Sequence, residues 1–173
     1  MRVLKFGGTS LANPERFSQA AKLIDKAHLE QQPAGVLSAP AKITNHLVAL
    51  SEKAALNQST DTHFNEAIEI FYNIINGLHA ENNQFDLNGT KAFIDAEFAQ
   101  IKGLLEEIRQ AGKVEDAVKA TIDCRGEKLS IAMMKAWFEA RGYSVHIVDP
   151  VKQLLAKGGY LESSVEIEES TKL

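Results

Sequence analysis

Lys5-Phe6-Gly7-Gly8-Thr9-Ser10 places a lysine, two glycines and two hydroxyls directly behind the strand-like run Arg2-Val3-Leu4. Those residue types suit phosphoryl transfer. Glycine lacks a Cβ, so backbone amides can come close to an anion. The amides of such a turn converge on the anion, and a following helix N-terminus adds partial positive charge. Lys5 can supply a full charge to the transferring oxygens, and Thr9 and Ser10 can hydrogen-bond a phosphate or its acceptor. Lys5 precedes the glycines, so the spacing is neither that of a Walker A loop nor G-x-G-x-x-G. A plain strand-to-helix turn would use the same residues, so the rest of the chain has to decide between the two.

Two further polar clusters stand where strands should end or helices begin. Ser38-Ala39-Pro40-Ala41-Lys42-Ile43-Thr44-Asn45 follows an apolar run, with Ser38 at the strand end and Thr44 and Asn45 at a helix start. Thr44 could simply cap that helix, a role worth ~1 kcal/mol. Arg125-Gly126-Glu127 opens a helix running from Lys128 to Ala140, and the helix dipole alone would favour Glu127 in that first turn. Each cluster is weak evidence by itself. Three at the carboxyl ends of one sheet, where open α/β folds bind their ligands, are stronger.

The elements that must position these clusters can be read coarsely. Arg2 to Phe6, Gly35 to Ser38 and Tyr143 to Val148 are predicted strands, the last closed by Asp149-Pro150. Asn13-Pro14 starts a helix with Phe17, Ala20, Ala21 and Ile24 on one face. Ile43 to Leu56 forms a second, with Leu47, Leu50 and Ala54 in register. Asp61 opens a third, striped by Phe64, Ala67, Ile68, Phe71, Ile74, Ile75 and Leu78. Residues 88–110 make a fourth through Ile94, Phe98, Ile101, Leu105 and Ile108. These stripes are core faces. The order predicts an α/β fold, a mainly parallel sheet flanked by helices, with a helical insertion at about 57–112.

Composition bounds the function class. One domain is expected for 173 residues, of which 45% are hydrophobic and 24% charged. A formal net charge of -4 argues against a nucleic-acid partner held on a broad basic face. No apolar run reaches the ~20 residues of a membrane span, and the chain leads from Met1-Arg2 into a strand rather than a signal peptide. The single cysteine, Cys124, fits a reducing cytoplasm and is expected as a small buried hydrophobe. The five histidines, 28, 46, 63, 79 and 146, show no metal-ligand spacing, so no metal site is expected and local hydrogen bonding is.

The three clusters, Lys5 to Ser10, Val36 to Asn45 and Arg125 to Ser130, resemble the signatures of the aspartate kinase family in order and spacing. Leu37 to Ala49, Glu97 to Lys102 and Tyr160 to Ser163 extend the likeness along nearly the whole chain. The resemblance implies an amino-acid-kinase-like fold and phosphorylation of the side-chain carboxylate of L-aspartate, with MgATP as co-substrate. It implies that Lys5 contacts the nucleotide phosphates, that Gly7 and Gly8 face the γ-phosphate with Thr9 and Ser10 completing the loop, that Ser38 and Thr44 lie around the aspartate, and that Glu127 binds its α-ammonium.

Residues 1–173 then correspond to the N-terminal part of the kinase catalytic domain. The family's later Gly-Arg-Gly-Gly-Ser-Asp stretch, its adenine-binding half and its ACT domains fall outside these residues. NADP would enter only through a dehydrogenase domain that is likewise absent. The tail, Glu162 to Leu173, is expected to be frayed or hairpin-like, and an interrupted sheet edge favours a homo-oligomer. A non-catalytic lobe that binds a small anion or mediates subunit contacts is the alternative.

Overall fold

The computed structural model describes residues 1–172. Its centre is a pair of parallel strands, β1 (Arg2–Phe6) and β2 (Pro33–Leu37), in register from Arg2 opposite Pro33 to Phe6 opposite Leu37. The crossover between them is α1 (Pro14–His28), as a parallel pair requires. Asn13 starts α1 by accepting the Arg16 N–H at 2.9 Å, with Pro14 at the first helical position. Phe17, Ala20, Ala21 and Ile24, the predicted face, are buried.

Five longer helices follow: α2 (Ile43–Ala55), α3 (Asp61–Glu81), α4 (Leu87–Ala111), α5 (Asp116–Asp123) and α6 (Arg125–Glu139). The expected helical insertion is occupied by α3 and α4, and their stripes meet those of α1 and α2 in one core. Phe98 of α4 receives the rings of Phe64 and Phe71 edge-on, at centroid distances of 5.3 and 6.0 Å, a favoured geometry for aromatic pairs. Gly112, at φ 65°, ends α4 in the left-handed conformation, donating its N–H to the Ile108 carbonyl. No described helix is long and apolar enough to cross a membrane.

One predicted element does not form. Tyr143 to Val148 carries strand-forming residues, yet it has no strand pairing. β-Branched composition favours an extended chain, but a strand also needs a ladder partner for its amides and carbonyls. Here a cavity of about 390 Å³ separates the segment from β2, lined on one side by Pro33 to Gly35 and Leu37 and on the other by Tyr143 to Val148. Tyr143 holds the start of the segment in place: its hydroxyl donates to Asp25 and its ring packs edge-on against Phe138 at 5.6 Å.

Beyond it, α7 (Pro150–Gln153) precedes an antiparallel hairpin of β3 (Ala156–Gly158) and β4 (Ser163–Val165), and α8 (Ile167–Ser170) closes the described chain. The expected tail, Glu162 to Leu173, thus holds only the second strand of this hairpin followed by α8, and Leu173 lies outside the described residues.

Candidate active site

β1 and β2 run parallel and end side by side, so the turns that leave them must touch. Ser38 N–H donates to the Phe6 carbonyl at 3.0 Å, and Ala41 N–H donates to the Gly8 carbonyl at 3.0 Å. Gly8 is the point of closest approach. A Cβ there would stand 2.7 Å from the Ala39 carbonyl oxygen and 3.4 Å from the Ala41 nitrogen. Backbone cannot yield as a side-chain tip can. Gly8→Ala is therefore expected to push the two turns apart and destabilise the chain by roughly 1–3 kcal/mol, read from a urea melt. An unchanged midpoint would show that the turns separate freely.

The first turn is a short 3-10 helix, Gly8–Leu11, entered from Gly7. Its first bond runs from Ser10 N–H to the Gly7 carbonyl at 2.9 Å, so the Gly8 and Thr9 amides have no partner within the helix. Lys5 Nζ lies 3.8 Å from where a Gly7 Cβ would be, which brings the ammonium over the glycine turn. Lys5, Thr9 and Ser10 are exposed, while Leu11 is fully buried and fixes the turn from below. Arg16 donates to the Thr9 carbonyl at 2.8 Å and ties the turn to α1.

The second turn reaches α2 through Lys42, a non-glycine residue at φ 75°. Left-handed backbone costs an ordinary residue about 1–2 kcal/mol, and it occurs here at the junction of the two site turns. Ile43 follows, fully buried. Thr44 is exposed in the first turn of α2, and the helix has no side-chain cap, so capping does not account for Thr44. Ser38 is half-buried at the end of β2.

The third cluster joins the same corner through another glycine. A Cβ on Gly126 would lie 2.5 Å from Ala39 Cβ and 2.9 Å from Ile43 Cγ2. The start of α6 thus packs against the turn that also meets Gly8. All three sequence clusters converge on residues 38–43. Glu127, one residue on, does not serve as a helix cap. Its Oε2 is buried and has no hydrogen-bond partner among the described residues. A buried carboxylate oxygen left unpaired costs free energy, and such an atom at a ligand corner points to a cationic or hydrogen-bond-donating group that arrives with the ligand.

What holds α6 in place was not legible from the three clusters. Glu97 of α4 is 3% exposed. It accepts from Lys128 Nζ at 2.7 Å and forms an ion pair with Arg125. Those two cations flank Glu127, so the Glu97 carboxylate sets the first turn of α6. The available signal was a charge at a core position: Glu97 falls three residues after Ile94 and four before Ile101, inside the apolar stripe.

Cys124, expected to be buried, is exposed. The shielding its sulfur does have still pushes the thiol pKa up, which keeps it protonated and poorly nucleophilic at neutral pH.

The corner thus combines a strand–glycine turn–helix junction, a lysine above it and a buried carboxylate oxygen beside it with no partner among the described residues. Residues 1–172 match the Amino acid kinase family, and the chain belongs to that family. It is 96% identical over 172 residues to the bifunctional aspartokinase/homoserine dehydrogenase of Haemophilus influenzae, covering 99% of this chain and 21% of that protein. The corresponding protein of Buchnera aphidicola is 39% identical over 173 residues, again 21% of its length. The chain thus spans about a fifth of the curated relatives it matches. Among solved structures, aspartokinase III of E. coli, in complex with aspartate and ADP, superimposes with a TM-score of 0.84 at 23% identity over 100% of this chain and 36% of that one. That likeness establishes a shared fold.

Proposed function

We propose that this chain is the N-terminal part of an aspartate kinase catalytic domain, in which MgATP phosphorylates the side-chain carboxylate of L-aspartate to give aspartyl phosphate. The observation that carries the reading is the buried, unpartnered Oε2 of Glu127 in the corner shared with the glycine turn. An α-amino acid brings an ammonium group, which is what that oxygen lacks. The E. coli structural neighbour holds aspartate and ADP, and the 96% identical relative carries aspartokinase in its name.

The nucleophile is already a carboxylate, so no general base is needed to create it. The barrier is the approach of two anions. Catalysis is then positioning plus neutralisation of charge. Mg²⁺ arrives with ATP and neutralises part of the phosphate charge. Lys5 supplies a positive charge beside the Gly7–Gly8 turn, the Gly8 and Thr9 amides donate to phosphate oxygens, and Ser10 completes the loop. Ser38 and Thr44 contribute hydroxyls on the aspartate side, and Glu127 fixes the substrate through its ammonium.

The direct test is trapping of aspartyl phosphate by hydroxylamine with MgATP and aspartate. A full-length polypeptide carrying this sequence is expected to form the hydroxamate, and residues 1–173 alone to form little or none. A full-length polypeptide with no hydroxamate would favour the non-catalytic lobe. Within the active polypeptide, Glu127→Gln removes one charge-assisted hydrogen bond. It should raise the aspartate KM by ~10- to 150-fold while the ATP KM changes little. Unaltered aspartate saturation would reject the ammonium role.

A further inference from the structure

The histidines do not all stand alone. His46, in the first turns of α2, and His63, in the first turn of α3, bring their Nδ1 atoms to 3.2 Å. Glu66, one turn beyond His63 on the same face of α3, places Oε2 3.5 Å from His46 Nδ1. One donor atom from each of the three lies within 4.8 Å of the others. With Zn–N bonds near 2.0–2.1 Å, the ligand atoms of a tetrahedral ion stand about 3.3–3.4 Å apart. The His–His and His–Glu separations already approximate two edges of that tetrahedron. We propose that His46, His63 and Glu66 form a binding site for a divalent transition-metal ion of the zinc class, bridging α2 and α3.

Several observations support this arrangement over a plain hydrogen bond. Two facing Nδ1 atoms can share only one proton, so one ring must donate and the other accept; a metal ion satisfies both lone pairs together. The side chain of His46 is only 12% exposed, whereas Glu66 is 55% exposed. Glu66 thus forms the open side, through which an ion and its remaining water ligand can enter. Two imidazoles and one carboxylate select zinc, cobalt or nickel over magnesium and calcium, which prefer all-oxygen shells. His63 and Glu66 come from one helix at i and i+3, but His46 is 17 positions away in sequence, and for that reason linear spacing does not reveal the site. His46 lies two residues past Thr44, so the ion would tie α3 to the helix start that carries a proposed substrate residue.

Titration of the 173-residue chain with Co²⁺ tests the site directly. One ion per chain is expected, with the visible d–d bands of a four-coordinate centre, displaced by Zn²⁺ and untouched by Mg²⁺. Zn²⁺ should also raise Tm. His63→Ala and Glu66→Gln should each weaken Co²⁺ binding by at least ~10-fold and abolish the Zn²⁺-dependent rise. Glu66→Gln alters an exposed carboxylate, so it keeps the test valid if His63→Ala perturbs folding; far-UV circular dichroism of the metal-free variants checks this. Absence of Co²⁺ bands at tens of micromolar, or bands and Tm shifts that persist in both variants, would overturn the proposal.

Discussion

Glu97→Ala is expected to remove about 3 kcal/mol of folding stability. The carboxylate is 3% exposed and is held by two cations of unequal burial, Arg125 with 14% of its side chain exposed and Lys128 with 51%. Lys128 can turn to solvent when its partner is lost, so little of the cost comes from it. Arg125 has no such freedom. After truncation its charge would stay shielded with only the Thr121 carbonyl, 3.3 Å from Nε, as an acceptor. Breaking a buried pair from one side costs more than the pair contributes, because a desolvated charge is left behind. Glu97→Gln keeps the shape and one acceptor, so it should fall between wild type and alanine. Urea unfolding of the three proteins decides the matter; a loss below about 1 kcal/mol for alanine would mean that Arg125 reorients into water. Because Arg125 and Lys128 flank Glu127, the same substitution should loosen the start of α6 before the rest of the core.

The legible parts of this fold are those governed by local chemistry. The face of α1 through Phe17, Ala20, Ala21 and Ile24 follows from helical periodicity, and its start from Asn13 and Pro14. β1 and β2 were readable because each is a short apolar run ending in small residues, and a parallel pair needs only the intervening helix. Tyr143 to Val148 has better strand composition than either, yet it is not a strand. Composition reports that a residue fits a pleated surface, whereas pairing requires a neighbour at hydrogen-bonding distance. A cavity lies where that neighbour would be.

The candidate site divides in the same way. Lys5, Gly7, Gly8, Thr9, Ser10, Ser38, Thr44 and Glu127 stand out as candidates because residue type near a strand or helix end carries a signal, and their proposed roles follow from the family resemblance. Their convergence on residues 38–43 depends on two close approaches, at Gly8 and Gly126, that no spacing rule expresses. Glu97 shows the intermediate case. Its position in an apolar stripe is visible in the sequence as an anomaly, but its partners on α6 are not. The pairing of His46 with His63 is a tertiary contact throughout.

If the proposed function holds, Lys5→Ala in a full-length polypeptide carrying this sequence is expected to lower kcat by ~10²- to 10³-fold with a modest change in aspartate KM. The lysine is exposed and takes no part in the core, so the folded state should lose little and Tm should be nearly unchanged. Its ammonium stands over the glycine turn, where, on the proposed mechanism, negative charge on the phosphoryl group would redistribute as the bond to the leaving oxygen breaks. Ground-state ATP already carries charge that Mg²⁺ and the Gly8 and Thr9 amides can satisfy, so the lysine matters most for the charge that develops later. That difference between ground and transition state places its effect in kcat. Lys5→Arg separates charge from shape: it keeps the positive charge but spreads it over a planar fork that does not match a single point above Gly7. Partial recovery in arginine would assign the effect to charge, and no recovery to position. Hydroxamate formation at saturating ATP and aspartate measures both variants. A kcat within about threefold of wild type for alanine would remove Lys5 from the chemical step and leave the turn amides and the metal-bound nucleotide to carry it.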